Sequence, residues 1–232
     1  GELGAGCLLY FHGGGYATGS TASHRAVAGH VAAAAGRRAL SVGYRLAPEW
    51  PFPAAVDDGV AAYEWLLAEG YEPAQIVFVG DSAGAGLLLS ILLALREQGR
   101  PMPAGAVCLS PMADMTGSGE SLVTRAEADP WFVPEMLTML AHYVGDHEPS
   151  DPMLSPVFAD LTGLPPLLFH VGSDEILHSD TMRLVAAAEW AGVEVTVKEW
   201  AGMWHGFHYF VPLVPESRAA VAAVGEWIRG KL

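Results

Sequence analysis

The chain has 232 residues, and 51% of them are hydrophobic, which is enough for a large core and excludes a disordered or fibrous protein. Its formal net charge is −14, with only 12 Lys and Arg residues spread along the chain, which argues against nucleic acid as a partner and favours uncharged substrates over anionic ones. No apolar run approaches the roughly 20 residues that span a bilayer, and no signal-like segment opens the chain, so we expect a cytoplasmic protein without a membrane span.

Strand-like and helix-like segments alternate from one end of the chain to the other. This alternation predicts an α/β fold of one domain, residues 1–232, with a mostly parallel sheet and helices on both faces. The predicted strands are 6–11, 39–44, 75–79, 105–110, 166–171 and 193–199. The predicted helices lie near 21–35, 54–69, 83–98, 179–191 and 215–231. Residues 111–165 are too long for a simple crossover and contain helical pieces around 133–143, so we expect an excursion that contributes to the active-site rim.

A glycine run follows the first predicted strand. The sequence His12-Gly13-Gly14-Gly15 has the composition of a loop whose backbone N–H groups stabilise a developing oxyanion. We predict Gly13 and Gly14 as donors from this loop, and expect the ring of His12 to brace it. The run lacks the Gly-Lys-Ser/Thr of a P-loop and the spacing of a dinucleotide fingerprint.

A serine stands at a predicted strand-to-helix corner. The run Gly80-Asp81-Ser82-Ala83-Gly84 matches the Gly-x-Ser-x-Gly nucleophile elbow, in which small residues allow the strand and helix to approach. A helix N-cap would explain the serine but not the glycines on both sides. We therefore predict Ser82 as the nucleophile and the N–H of Ala83 as the third oxyanion donor.

A serine nucleophile needs a base and a group that orients the base. Asp174 follows the fifth predicted strand and is our predicted acid, with Glu175 and Asp180 as alternatives. His205 follows the last predicted strand and is the predicted base. His208 is its competitor, but in an extended segment an offset of three residues would place the two on opposite sides.

The remaining histidines and the two cysteines give no sign of a metal centre. No Cys/His or His-Glu-x-x-His spacing occurs, so no metal is predicted, and the histidines other than His12 are interpreted as scattered surface or core residues. Cys7 and Cys108 lie in predicted strands and are expected to be buried.

Together these motifs resemble the bacterial hormone-sensitive-lipase-like family of carboxylesterases, within the α/β-hydrolase superfamily. The further matches are the segments 44–49, with sequence YRLAPE, and 51–55, with sequence PFPAA, and the pair Asp151-Pro152 and Ser155-Pro156. The resemblance covers essentially the whole chain. It implies cofactor-free hydrolysis of short-chain neutral acyl esters, with Ser82, Asp174 and His205 as the triad and Gly13, Gly14 and Ala83 as oxyanion donors.

Family members usually have an N-terminal helical cap and two strands ahead of the glycine loop, whereas this sequence begins at the strand that leads into the loop. Without them, the substrate pockets are expected to be more open and the apolar surface at Tyr16, Trp131, Trp204 and Phe207 less covered. We predict these four as substrate-binding residues. The family includes homodimers formed through the last strand, so monomer and homodimer both remain open.

Two other functions use the same fold. Amide or peptide hydrolysis would need the same three side chains. A non-catalytic ligand-binding module is known among plant gibberellin receptors, which resemble this family but lack the catalytic histidine. The presence of Ser82, Asp174 and His205 together favours the enzyme.

Overall fold

The computed structural model describes residues 4–130 and 134–232, in which six strands form one parallel sheet. The sheet order is β2-β1-β3-β4-β5-β6. The strands are β1 (Cys7–Phe11), β2 (Arg38–Val42), β3 (Ile76–Asp81), β4 (Gly105–Leu109), β5 (Leu167–Gly172) and β6 (Val195–Trp200).

Helices connect the strands and cover both faces of the sheet. The α-helices are α1 (Arg25–Ala35), α2 (Ala54–Ala68), α3 (Ala83–Glu97), α4 (Ser121–Thr124), α5 (Leu140–Val144), α6 (His178–Trp190) and α7 (Pro215–Lys231). Short 3-10 helices occur at Pro73–Gln75, Pro134–Met139, Pro156–Phe158 and Phe207–Phe210.

The central strands β1, β3 and β4 are buried along their whole length and are apolar apart from Asp81 at the end of β3, as expected of strands that are covered on both faces. Along β1, Leu9 and Phe11 join a cluster with residues of α2, α3 and α6, while Leu8 and Tyr10 join a second cluster with residues of α1 and α7. The period of two in a strand therefore divides the core into two layers.

The strand order places two loops side by side. From β1 the chain moves outward to β2 and then returns across β1 to β3, so the direction of winding changes between β1 and β3. Open α/β sheets bind their ligands at such a switch point, outside the carboxyl ends of the strands. The glycine loop leaves β1 there and Ser82 leaves β3 there, with Phe11 paired to Gly80 in register.

The predicted fold class is confirmed, and the differences are at the ends of elements. β3 continues to Asp81, two residues beyond its predicted end, and β2 ends at Val42, so that Tyr44 is free to stack on His12. The excursion at 111–165 contains helical pieces, as expected, although residue 133 lies outside the described part. Within the described residues, no helix combines the length and apolarity that crossing a membrane requires.

Candidate active site

Ser82 sits at a sharp corner between β3 and α3. Its backbone has φ 52° and ψ −122°, a conformation that a non-glycine residue rarely adopts and that the surrounding packing must enforce. A Cβ atom at Gly80 would lie 2.4 Å from the carbonyl oxygen of Gly84, and one at Gly84 would lie 2.1 Å from that of Phe11. The two glycines are therefore required for the strand, the helix and β1 to meet at this corner.

The imidazole of His205 reaches Ser82 from the other end of the chain. Its Nε2 lies 3.0 Å from Ser82 Oγ, and both side chains are buried at the floor of a cavity. His208, the competitor, belongs to the 3-10 helix Phe207–Phe210 and stacks against His170 instead. The segment turns rather than extends, so the structure separates the two histidines for a different reason from the one predicted.

The carboxylate that faces His205 belongs to Glu175 and not to Asp174. Glu175 Oε1 lies 3.9 Å from His205 Nδ1, and the side chain is fully buried. Asp174 is only partly buried, and its carboxylate accepts a hydrogen bond of 2.6 Å from Ser173 Oγ. Glu175, which was an alternative in the sequence analysis, therefore lies next to the imidazole in place of the predicted Asp174, because the turn after β5 directs the second of the two acidic side chains inward.

Glu175 is held in place by two hydrogen bonds to its other oxygen. Oε2 accepts from Ser110 Oγ at 2.7 Å and from the backbone N–H of Gly172 at 3.0 Å. Ser110 follows β4 with a positive φ of 51°, which turns its side chain toward this carboxylate. Asp180, the third candidate, accepts instead from the N–H of Ala113, away from His205.

The surroundings of His205 favour its protonated form. Burial lowers the pKa of the imidazole, but the adjacent carboxylate of Glu175, with smaller contributions from the charges of Asp129 and Asp81, outweighs burial and raises the pKa above its usual value. Asp129 is buried next to the histidine loop, where Oδ2 accepts from the N–H of His205 and of Ile176. An imidazolium that forms at this site is therefore stabilised by carboxylates.

The glycine loop presents N–H groups of two kinds. The N–H of Gly13 donates a 2.9 Å hydrogen bond to Asp81 Oδ2, so it is not available to a substrate. Among the described residues, no acceptor lies within hydrogen-bond reach of the N–H groups of Gly14, Gly15 or Ala83. Gly14 and Gly15 also line the cavity beside Ser82. The structure thus contradicts Gly13 as a donor, because Asp81 holds its amide, and it leaves the amides of Gly14 and of Gly15, which was not predicted, without a partner among the described residues.

His12 braces the base of this loop. Its ring stacks on Tyr44 with centroids 4.3 Å apart, its Nδ1 lies 2.8 Å from the carbonyl oxygen of Gly13, and Tyr44 Oη donates to the carbonyl oxygen of His12 at 2.6 Å. The ring is buried and does not line the cavity.

A cavity of about 300 Å³ opens above Ser82 and His205. Three methionines of the 111–165 excursion line it: Met112 near the start of the excursion, and Met136 and Met139 in its 3-10 helix. The remaining described wall consists of Gly14, Gly15, Thr18, Gly19, Ser23, His24 and Tyr209. The space is at the lower end of the range for ligand pockets and suits a small molecule.

The aromatic residues predicted to bind substrate do not line the described part of this cavity. Tyr16 is buried, donates to the carbonyl oxygen of Met112 and stacks on Tyr143. Phe207 is fully buried against His208, and Trp204 packs on Phe210. Trp131 lies outside the described residues. The three described aromatics are therefore core or support residues, which their hydrophobicity alone could not distinguish from a pocket wall.

Several site residues were not selected from the sequence. His24, interpreted as a scattered histidine, lines the cavity, and its Nε2 lies 3.4 Å from Asp81 Oδ2. Asp129 and Ser110 lie in loops without a recognised motif. The sequence contained one signal for this group of residues. Asp81 lies inside the serine motif, and a carboxylate that is buried there requires polar side chains or N–H groups as partners.

The described residues contain no cluster of histidine, cysteine or acidic side chains that could hold a metal ion. Cys7 and Cys108 are both buried free thiols, as predicted.

Comparison with known proteins gives one family and many relatives. Residues 8–209 match a family model described as alpha/beta hydrolase fold. An acetyl-hydrolase of Streptomyces hygroscopicus is 47% identical over 223 residues, which are 96% of this chain and 75% of that protein. An esterase of Acinetobacter venetianus is 40% identical over 222 residues, 95% of this chain and 73% of that protein.

A solved structure of the same kind of protein is also similar to this chain. A crystal structure of an esterase from the bacterial hormone-sensitive lipase family superposes with a TM-score of 0.97 at 47% identity, covering 99% of this chain and 78% of the other.

Proposed function

Because the chain belongs to the bacterial hormone-sensitive-lipase-like family of carboxylesterases, in the α/β-hydrolase superfamily, and is a carboxylic ester hydrolase, we propose that it cleaves small uncharged acyl esters through Ser82, His205 and Glu175. The observation that carries this proposal is the 3.0 Å contact between Ser82 Oγ and His205 Nε2, with Glu175 on the far side of the imidazole. This arrangement supports a nucleophile, a base and an orienting acid that follow one another in space, as acyl transfer requires.

In the acylation step, Ser82 Oγ attacks the ester carbonyl carbon while His205 Nε2 accepts the hydroxyl proton. Glu175 keeps Nδ1 protonated, so that Nε2 is the free base, and stabilises the imidazolium that results. His205 then donates the proton to the leaving alcohol, and the acyl group remains on Ser82 as an ester. A water molecule then attacks the acyl carbonyl carbon while His205 accepts one of its protons, and the intermediate releases the carboxylic acid as His205 returns the proton to Ser82 Oγ.

The negative charge that develops on the carbonyl oxygen is met by the N–H groups of Gly14, Gly15 and Ala83. These amides are supported as donors by their lack of an acceptor among the described residues and by the position of the two glycines on the cavity wall. Loss of one such donor typically costs about 2.7–4 kcal/mol of transition-state stabilisation.

The cavity wall supports a short, uncharged substrate. Its polar side chains are already engaged: Thr18 donates to the carbonyl oxygen of Gly14, Ser23 donates to that of Ser20, and Tyr209 donates to Asp81. His24 is paired with both Ser23 and Asp81. An ester therefore meets methionine side chains and backbone rather than free polar groups, which favours an apolar acyl or alkyl group.

We assign the 111–165 excursion to the rim of this site, within a single domain of residues 1–232. Met136 and Met139, which it contributes to the wall, are partly exposed and flexible enough to adapt to different small groups.

A fluorophosphonate probe followed by peptide mass mapping tests the nucleophile. We expect one label per chain on Ser82, loss of labelling and of p-nitrophenyl butyrate hydrolysis in Ser82→Ala, and no loss in Ser90→Ala. Ser90 is the matched control, because it is a buried serine of α3 that donates to Gly86 within its own helix.

Acyl chains of two to twelve carbons and the matching anilides define the substrate class. Turnover is expected to fall beyond short chains and to be far slower for anilides, because the cavity is small and the amide leaving group is poorer. Labelling at another residue, or hydrolysis that survives Ser82→Ala, would contradict the proposed mechanism. Anilide turnover equal to that of the esters would identify an amidase.

A further inference from the structure

One buried carboxylate connects several segments of the active site without touching the reacting atoms. Asp81, the residue before Ser82, is only 3% exposed. Its Oδ1 accepts a 2.5 Å hydrogen bond from Tyr10, and its Oδ2 accepts from the N–H of Gly13 at 2.9 Å and from Tyr209 at 2.5 Å. His24 Nε2 lies 3.4 Å from the same Oδ2.

These partners come from distant parts of the chain. Tyr10 belongs to β1, Gly13 to the glycine loop, and Tyr209 to the 3-10 helix that follows His205. Asp81 itself ends β3, immediately before the nucleophile. The carboxylate therefore fixes the glycine loop and the histidine loop relative to Ser82.

The packing at Gly13 is close enough to make this connection specific. A Cβ atom at Gly13 would lie 2.3 Å from Asp81 Oδ2, so the backbone of the loop rests directly on the carboxylate. The next two residues, Gly14 and Gly15, line the cavity.

The environment keeps Asp81 ionised. Burial raises the pKa of the carboxyl group, but the hydrogen bond and charge of His24 and the hydroxyls of Tyr10 and Tyr209 outweigh burial and hold the pKa below its usual value. A charged acceptor makes shorter and stronger hydrogen bonds than a neutral one, so the carboxylate of Asp81 is well suited to hold the glycine loop.

We propose that Asp81 is a positioning residue for the ester hydrolysis: by accepting the N–H of Gly13, it sets the glycine loop so that the amides of Gly14 and Gly15 point at the developing oxyanion. This rests on the proposed function of Ser82 and the glycine loop. Asp81 acts through the loop and does not contact the substrate carbonyl.

Asp81→Ala and Asp81→Asn test the proposal together. Alanine leaves the Gly13 amide without its acceptor, whereas the carbonyl oxygen of asparagine can still accept it. We expect kcat, divided by the number of sites that a fluorophosphonate labels, to fall about 100-fold in Asp81→Ala with KM within a few-fold of wild type, since oxyanion donors act mainly in the transition state. Asp81→Asn is expected to recover about tenfold of this loss.

A second readout reports the oxyanion hole directly. The affinity of an alkyl trifluoromethyl ketone, whose adduct with Ser82 carries an oxyanion, should fall in parallel with kcat/KM across the variants. A role in folding alone would lower the melting temperature and the fraction of labelled sites but leave kcat per labelled site and the ketone affinity unchanged.

Tyr10→Phe covers the case in which Asp81→Ala does not fold, because it removes only the hydroxyl that holds Oδ1. We expect a several-fold loss of kcat per labelled site and of ketone affinity. Tyr63→Phe is the matched control: it also removes the hydroxyl of a buried tyrosine, one that donates to the carbonyl oxygen of Pro101, and kcat should be unchanged.

The proposal would be overturned if Asp81→Ala, or Tyr10→Phe where the alanine variant does not fold, kept wild-type kcat per labelled site and ketone affinity. It would also be overturned if Asp81→Asn were no better than Asp81→Ala. Failure of the proposed function gives a different result, because wild-type protein would then carry no label on Ser82.

Discussion

After the turn that follows β5, Glu175 directs one carboxylate oxygen at His205 and binds the protein with the other. Its Oε2 is fixed by Ser110 and by the N–H of Gly172, which leaves Oε1 directed at the imidazole. Asp174, one residue earlier, has its N–H bonded to the carbonyl oxygen of Met203 and its carboxylate bonded to Ser173. Two adjacent carboxylates therefore have different partners.

At the residue scale, Glu175→Gln and Asp174→Asn form a matched pair. We expect Glu175→Gln to lower kcat for p-nitrophenyl butyrate by about 10³–10⁴-fold, because the imidazole loses the group that selects its tautomer and stabilises its charge. Asp174→Asn should stay within about twofold of wild type. The reverse ranking, measured by initial rates at pH 8, would restore Asp174 as the acid.

The pH dependence of kcat/KM follows from the same carboxylate. His205 acts as a base only when it is neutral, and its pKa is raised, so the rate of the wild-type enzyme should rise with pH through a midpoint above the ordinary value of about 6.5. Glu175→Gln removes the main cause of the increase, so its residual activity should have a lower midpoint. An unchanged or higher midpoint in pH–rate profiles would contradict this.

At the scale of elements, some helices pack so closely against their neighbours that only glycine fits at the contact. Gly59 in α2 is buried, and a Cβ atom there would lie 2.1 Å from Ile91 Cδ1 of α3 and 3.2 Å from the ring of Phe11 in β1. Gly29 in α1 is exposed, with nothing within 4 Å of such an atom. The first glycine is required by packing, and the second is not.

Gly59→Ala and Gly29→Ala are therefore expected to change the free energy of unfolding in opposite directions. Gly59→Ala should lower it by about 1–3 kcal/mol through overpacking, and Gly29→Ala should raise it by about 0.5–1 kcal/mol because alanine loses less backbone entropy in a helix. Urea denaturation measures both. Adding Ile91→Val should return part of the loss in Gly59→Ala, and a double variant no more stable than the single would show that Ile91 is not the obstacle.

At the scale of the whole molecule, the protein has a net charge of −14, and the polar side chains of the cavity wall already form hydrogen bonds within the protein. An anionic ester must approach against this field and then lose water without gaining a free donor from the wall. Charge and cavity chemistry thus both predict slower hydrolysis of anionic esters than of uncharged ones.

Mono-p-nitrophenyl succinate and p-nitrophenyl butyrate have the same leaving group and similar length, and they differ in one carboxylate. We expect kcat/KM to be at least about tenfold lower for the succinate, with the gap narrowing as salt rises from about 0.01 M to 0.5 M, since added ions screen the field of the protein. Equal rates, or a gap independent of salt, would show that charge does not govern selection.

The amino-acid sequence by itself determined the parallel sheet, the order of its elements and the serine corner. These features are local, because strand periodicity and the glycines around Ser82 depend on residues a few positions apart.

Only the tertiary structure decided which of two adjacent acids faces the imidazole, which glycine amides remain available, and which side chains line the cavity. Each of these depends on contacts between distant segments, such as the hydrogen bond of Gly13 to Asp81, 68 residues away, and that of Tyr209 to the same carboxylate, 128 residues away. The direction of a side chain or an amide is set by the partner that satisfies it once it is buried, and that partner is defined only when the sheet has brought the loops together.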